Sequence, residues 1–99
     1  MISVKITAIR KASYPDLMAR YENKLDMPCS IEEGAVFWSY EAQMPEGFCP
    51  SAWETLQPFV EELAHGGGNF FDGWMKNPKS AFLSCNDGFR PVSFLIEAQ

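Results

Sequence analysis

The sequence predicts a small α+β protein whose elements follow the order β-α-β-α-β-β. Apolar and polar residues alternate near the start of the sequence, a helical apolar stripe follows Pro50, and a turn signal separates the last two apolar runs. We expect a single domain over residues 1–99. Its sheet should be mixed or antiparallel, with about four strands packed by two helices.

The first half of the chain carries signals for a strand, a helix and a second strand. Apolar residues occupy alternate positions over residues 2–10, which predicts a strand with one buried face. Residues 13–16 combine Ser, Tyr, Pro and Asp, a pattern typical of a helix start, with Ser13 as the expected cap and an end near Asn23. The bulky run over residues 35–40 predicts the second strand.

A second helix is predicted to begin at Pro50 and to stop at the glycines of residues 66–68. Its apolar stripe has helical spacing and consists of Trp53, Leu56, Val60 and Leu63. Pro58 lies inside this helix and lacks the N–H of one backbone hydrogen bond. We therefore expect Pro58 to kink the helix or divide it in two.

The C-terminal third is predicted to form an antiparallel hairpin with strands over residues 80–85 and 92–96. Asn86, Asp87 and Gly88 between the two strands are strong turn residues. Pro91, at the entry to the last strand, predicts an edge position or a bulge there. The preceding loop is rich in aromatic residues, which we expect to dock on the core: Phe70, Phe71 and Trp74.

Composition excludes several classes of function. The net charge is -5, and the eight Lys and Arg residues form no basic run, which argues against nucleic acid and anionic membranes as partners. The sequence has no apolar stretch long enough for a membrane span and no signal-peptide pattern. Three cysteines, an odd number, leave at least one thiol outside any intramolecular disulfide. We therefore expect a cytoplasmic protein.

The segment Met44–Trp53 places Cys49 where a loop becomes a helix. Pro50 fits the first helical position because its missing N–H costs no hydrogen bond there, so Cys49 is expected at or beside the N-cap. The free N–H groups and partial positive charge of a helix start favour an anion at that point. The pattern predicts a reactive or metal-ligating cysteine, with a small buried apolar side chain as the alternative.

The three cysteines are Cys29, Cys49 and Cys85, and each lies at the end of a predicted element. Three thiolates that converge can bind zinc or an iron–sulfur cluster, and His65 is a candidate fourth ligand. The chain has no Cys-x-x-Cys pair, and the separations of 20 and 36 residues match no known ligand spacing. Cysteines with separate structural roles are therefore the alternative.

The cysteine segments resemble a family of uncharacterised small bacterial and archaeal proteins. The resemblance covers most of the chain, and its specificity lies in the combination of motifs and in none of them alone. The motifs are Pro28–Cys29, Glu33–Gly34, Met44–Cys49 with Ala52–Trp53, Gly67–Phe70, and Cys85–Phe94. The family has no established activity, so the resemblance implies an identity and no function.

The resemblance also singles out particular residues. Six of them match positions of the family pattern: Cys29, Gly47, Cys49, Trp53, Cys85 and Arg90. This match implies a shared thiol or metal site. The chain departs from the pattern at Ser84, where the family has a second cysteine, and His65 matches no family position. A ligand set of four sulfurs would therefore be incomplete in this chain.

Three functions remain open from the sequence. The first is a non-catalytic binding or accessory domain, with a cysteine-lined pocket between the second helix and the terminal hairpin for a metal, a cluster or a protein partner. In this reading, exposed aromatic residues belong to a homo-oligomer contact. The second is a small thiol enzyme with Cys49 as nucleophile and Arg90 orienting an anionic substrate. The third is an interaction module with purely structural cysteines.

Overall fold

The computed structural model describes residues 1–23 and 30–99, and this part of the chain contains two helices and four strands. The elements are β1 (Val4–Lys11), α1 (Pro15–Tyr21), β2 (Val36–Ser39), α2 (Pro50–Ala64), β3 (Ser80–Ser84) and β4 (Val92–Ala98). The four strands pair antiparallel in the order β2-β1-β4-β3. The predicted α+β class and element order are confirmed, and of the two predicted sheet types the sheet is antiparallel.

The core lies between one face of the sheet and α2. The strands contribute the alternating side chains that period two predicts, among them Val4, Ile6, Phe94 and Ile96. α2 contributes residues at helical spacing, which include Leu56, Val60 and Leu63. Within the described residues, α2 is the helix that packs on the sheet, because α1 has no buried residue. The predicted second covering helix is therefore a surface element.

The start of α1 differs from the prediction. The helix begins at Pro15, and its N-cap is Tyr14 without a side-chain capping bond, so Ser13 does not cap it. The main-chain N–H of Tyr14 donates to the carbonyl of Phe89 at 3.0 Å, which ties this end to the terminal hairpin. With this hydrogen bond in place, the N-cap of α1 is Tyr14, one residue after the predicted cap Ser13.

Pro58 does not divide α2, which is one continuous helix from Pro50 to Ala64. The N–H that Pro58 lacks would have donated to the carbonyl of Glu54, four residues earlier. Both residues are exposed, so water can satisfy that carbonyl. The helix is therefore continuous through Pro58. No helix in residues 1–23 and 30–99 has the length and apolar character needed to cross a lipid bilayer.

The hairpin of β3 and β4 is confirmed, but the prediction for Pro91 was wrong in both of its alternatives. β4 lies between β1 and β3, so it is a central strand, and the irregularity in register falls on β1 between Ala8 and Arg10. Pro91 precedes the first strand residue, Val92, and its missing N–H therefore removes no ladder bond.

The aromatic loop only partly follows the prediction. Phe70 packs against the core beside Phe59, with ring centroids 5.0 Å apart. Phe71 is 74% exposed and Trp74 is 43% exposed, so these two rings do not dock on the core. Trp53 does pack against the core, as the helical stripe predicts.

Candidate functional site

A cavity of about 350 Å³ lies between the start of α2 and the turn of the terminal hairpin. We call it the thiol cavity because two of the three cysteines line it, although they lie 36 positions apart in the sequence. Its volume is within the range of small-ligand pockets. The lining residues are Glu22, Cys49, Ser51, Ala52, Cys85, Asn86, Asp87, Arg90, Val92 and Phe94.

Cys49 is the N-cap residue of α2, and Pro50 is the first helical residue. The turn before it is closed by a hydrogen bond from the N–H of Phe48 to the carbonyl of Pro45, with Gly47 at a φ of +78°. A turn with positive φ at its third position favours glycine there. Phe48 is buried against Phe37 and Phe94, with ring centroids 4.9 and 5.4 Å away. The buried ring of Phe48 therefore fixes the position of Cys49, the next residue in the chain.

The Cys49 side chain makes no capping hydrogen bond, and the first turn of α2 contains no acidic residue. The partial positive charge of the helix start is therefore not offset by a carboxylate in that turn. The thiol is half-buried and free. The position predicted for Cys49, at the start of the second helix, is confirmed.

Cys85 follows β3 directly and faces the same cavity. Its N–H donates to the carbonyl of Val92 at 2.9 Å, and its Sγ accepts a hydrogen bond from the N–H of Val92 at 3.3 Å. The sulfur is therefore held by the hairpin itself. A main-chain N–H that donates to sulfur is a contact that also tunes thiolates bound to metals.

Arg90 is paired with two carboxylates. Its guanidinium binds both carboxylate oxygens of Glu22, with Nη1 and Oε2 3.1 Å apart, and Nη1 lies 3.4 Å from Oδ2 of Asp87. Hydrogen bonding to Glu22 raises the pKa of Arg90 beyond its already high ordinary value, and this outweighs the opposing effect of burial. The guanidinium of Arg90 therefore stays positively charged and is already hydrogen-bonded to the carboxylates of Glu22 and Asp87.

Asp87 also shapes the turn that holds Arg90. Its Oδ1 accepts hydrogen bonds from the main-chain N–H groups of Phe89 and Arg90, at 2.9 and 3.2 Å. This is the turn chemistry that Asn86-Asp87-Gly88 predicts. Among the described residues, two carboxylates and one guanidinium therefore line the thiol cavity, and their formal charges sum to one net negative charge.

The residues predicted as metal ligands are only partly brought together. Cys49 and Cys85 share the cavity, whereas Cys29 lies outside the described residues. His65 is the C-cap of α2, and its Nδ1 lies 2.8 Å from the carbonyl oxygen of Glu61. A helix of this length separates His65 from Cys49 by about 22 Å, so His65 cannot share a metal ion with Cys49. Residues 1–23 and 30–99 contain no cluster of three or more His, Cys, Asp or Glu side chains placed to bind a metal.

Glu22 is the cavity residue that sequence reasoning missed. It lies 68 positions from Arg90 and is the C-cap of a short surface helix, where a lone glutamate carries no local signal. Only the tertiary structure brings the two side chains together. Arg90 itself was identified as a candidate, and it lies in the cavity.

No protein family, curated protein or solved structure gives a significant match to this chain. The resemblance to the uncharacterised family therefore stays a prediction that rests on its motifs.

Proposed function

We propose that the chain is a non-catalytic binding domain and that its ligand is a thiophilic metal cation held in the thiol cavity. The observation that carries the proposal is the convergence of Cys49 and Cys85 on one cavity from distant parts of the sequence. Neither thiol is in a disulfide. Thiolates are soft donors, and they select metals such as zinc over magnesium or calcium.

The charges of the cavity favour a cation over an anion. Arg90 is the positive side chain of the lining, and Glu22 and Asp87 already neutralise it. An anionic ligand would have to compete with these two carboxylates for the guanidinium. A cation instead meets a net negative lining and two thiols that become anionic on binding it.

Zinc fits the chain better than an iron–sulfur cluster does. A cluster usually takes four cysteines, and the sequence has three. Zinc can be held by three protein ligands when a water molecule fills the fourth position. We propose Cys49 and Cys85 as two of its ligands and Cys29, whose structure is not described, as the third.

The test is to map which thiols a metal protects from alkylation. The reduced protein is treated with iodoacetamide with and without Zn²⁺, and each cysteine is quantified by peptide mass spectrometry. Zn²⁺ is expected to slow the alkylation of Cys49 and Cys85 together, because both sulfurs bind the same ion. Mg²⁺ is the matched control, since it has the same charge and prefers oxygen ligands.

Equal alkylation of both thiols with and without Zn²⁺ would overturn the proposal.

The same experiment examines the second candidate, a thiol enzyme with Cys49 as nucleophile. That candidate is favoured by the free N-cap position of Cys49. It predicts that Cys49 alone reacts fast and that Zn²⁺ gives Cys85 no protection.

A further inference from the structure

The sheet has a second face that no described helix covers. α2 packs on the face of Val4, Ile6 and Phe94, so the side chains between those positions point to the opposite side. We call this side the open face. It carries Lys5, Thr7, Val36, Trp38, Phe82, Leu95 and Glu97, as the strand register shows.

The open face is unusually apolar for a solvent-facing surface. Val36 is 46% exposed, Phe82 is 41% exposed and Trp38 is 37% exposed. Val36, Thr7, Leu95 and Phe82 form one row across all four strands, because each pairs with its neighbour in register. Adjacent exposed apolar side chains of this kind are a feature of interaction surfaces.

The row beside it contains two opposite charges. Lys5 pairs in register with Glu97 on the neighbouring strand, so the two residues lie side by side at the centre of the open face. The described ion pairs are those of Arg90, so Lys5 and Glu97 do not form one with each other. The centre of the face therefore offers one positive and one negative charge that form no ion pair with any residue of 1–23 or 30–99.

We propose that the open face binds a second copy of this chain. In a two-fold dimer each patch meets itself, so the patch must be self-complementary. A two-fold axis in the interface plane, parallel to the strands and midway between β1 and β4, exchanges the positions of Lys5 and Glu97. It therefore places Lys5 of each copy opposite Glu97 of the other.

The same axis also matches the apolar row. It exchanges β2 with β3 as well as β1 with β4, because the strand order is β2-β1-β4-β3. Phe82 of one copy then faces Val36 of the other, and Leu95 faces Thr7. The in-plane axis perpendicular to the strands would instead bring Lys5 opposite Lys5, so the charges select the first arrangement. Two sheets packed in this way lie about 10 Å apart with nearly aligned strands.

The affinity that we expect for the dimer depends on the area of the open face. Four strands and about five residues per strand give a patch of roughly 19 by 17 Å. Two such patches bury roughly 650 Å² in total, which is below the range of stable specific interfaces, so we expect a weak, transient dimer that forms at high protein concentration. The dimer leaves the thiol cavity free, because the cavity lies beside α2 on the other side of the sheet.

Charge-exchanged variants test this arrangement by sedimentation velocity over a series of concentrations. Lys5→Glu and Glu97→Lys each place like charges opposite one another in the dimer, and each is expected to weaken self-association about tenfold or more. Mixing the two variants is expected to give a heterodimer as tight as the wild-type dimer. In that heterodimer every Lys faces a Glu across the interface, although each chain keeps its own like-charged pair.

The mixture distinguishes a variant that has lost the dimer contact from one that has failed to fold, because an unfolded variant would not recover its affinity on mixing. Phe82→Thr is expected to weaken the dimer without a change of charge. Phe71→Ser is the matched control, since it removes an exposed aromatic ring away from the open face and should leave association unchanged. Wild-type protein that stays monomeric at high concentration, or a mixture that associates no better than its components, would overturn the proposal.

Discussion

Replacing Cys85 or Cys49 by serine is expected to lower the affinity of the protein for Zn²⁺ about 100-fold or more. Each change removes one of the three proposed sulfur donors, and even the loss of a residue that only supports a ligand costs 10- to 100-fold in affinity. In Cys85→Ser the new hydroxyl could still accept the hydrogen bond from the N–H of Val92, so the hairpin should keep its structure. Competition with a chromophoric chelator measures the affinity.

Ser51→Ala is the matched control for the two cysteine variants. Ser51 lines the same cavity at the start of α2, and its replacement removes a polar atom without removing sulfur. Its Zn²⁺ affinity should stay within a few-fold of the wild-type value. Cys29→Ser extends the test to the third proposed ligand and should also weaken binding. Wild-type affinity in either Cys49→Ser or Cys85→Ser would contradict the assigned ligands.

Replacing Phe94 by alanine is expected to lower the free energy of unfolding by about 3–5 kcal/mol, because it leaves a void in a closely packed core. Phe94 is 0% exposed, lies on a central strand and packs against Phe48. Urea denaturation followed by circular dichroism measures the change. Because Phe48 directly precedes Cys49, the variant should also loosen the start of α2.

Phe82→Ala is the control for this prediction. Phe82 is the same residue type on the neighbouring strand, but its side chain lies on the open face and is 41% exposed. Its replacement should cost about 1 kcal/mol or less when measured on the monomer at low concentration. Equal losses of stability in the two variants would show that the core does not lie between α2 and the sheet.

Local signals predicted those parts of the structure that depend on neighbours in sequence. Pro50 identified the start of α2 and thereby the capping position of Cys49, because the rules for a helix start involve only adjacent residues. Asn86–Gly88 identified the hairpin for the same reason. The alternation over residues 2–10 predicted the buried face of β1, although the observed ends of β1 differ by one or two residues.

Features that depend on distant residues were not predictable in the same way. The strand order arises from pairing of β1 with both β2 and β4, which no single segment encodes. Pro91 was misread because a central strand can follow a proline directly when that residue lies outside the ladder. The pair of Glu22 and Arg90 joins a short helix to a hairpin turn across 68 positions. The sequence indicated the two cysteines of the candidate site. The balance of positive and negative charges in the cavity could be determined only from the tertiary structure.

The absorption spectrum of the protein with Co²⁺ is the most direct test of whether Cys49 and Cys85 bind one metal ion. Co²⁺ replaces zinc in tetrahedral sites, and a bound thiolate gives it an intense sulfur-to-cobalt charge-transfer band in the near ultraviolet. We expect this band to grow until about one Co²⁺ is bound per chain and Zn²⁺ then to remove it. A titration that shows only the weak spectrum of hydrated cobalt would contradict the assignment of Cys49 and Cys85 as ligands of one metal ion.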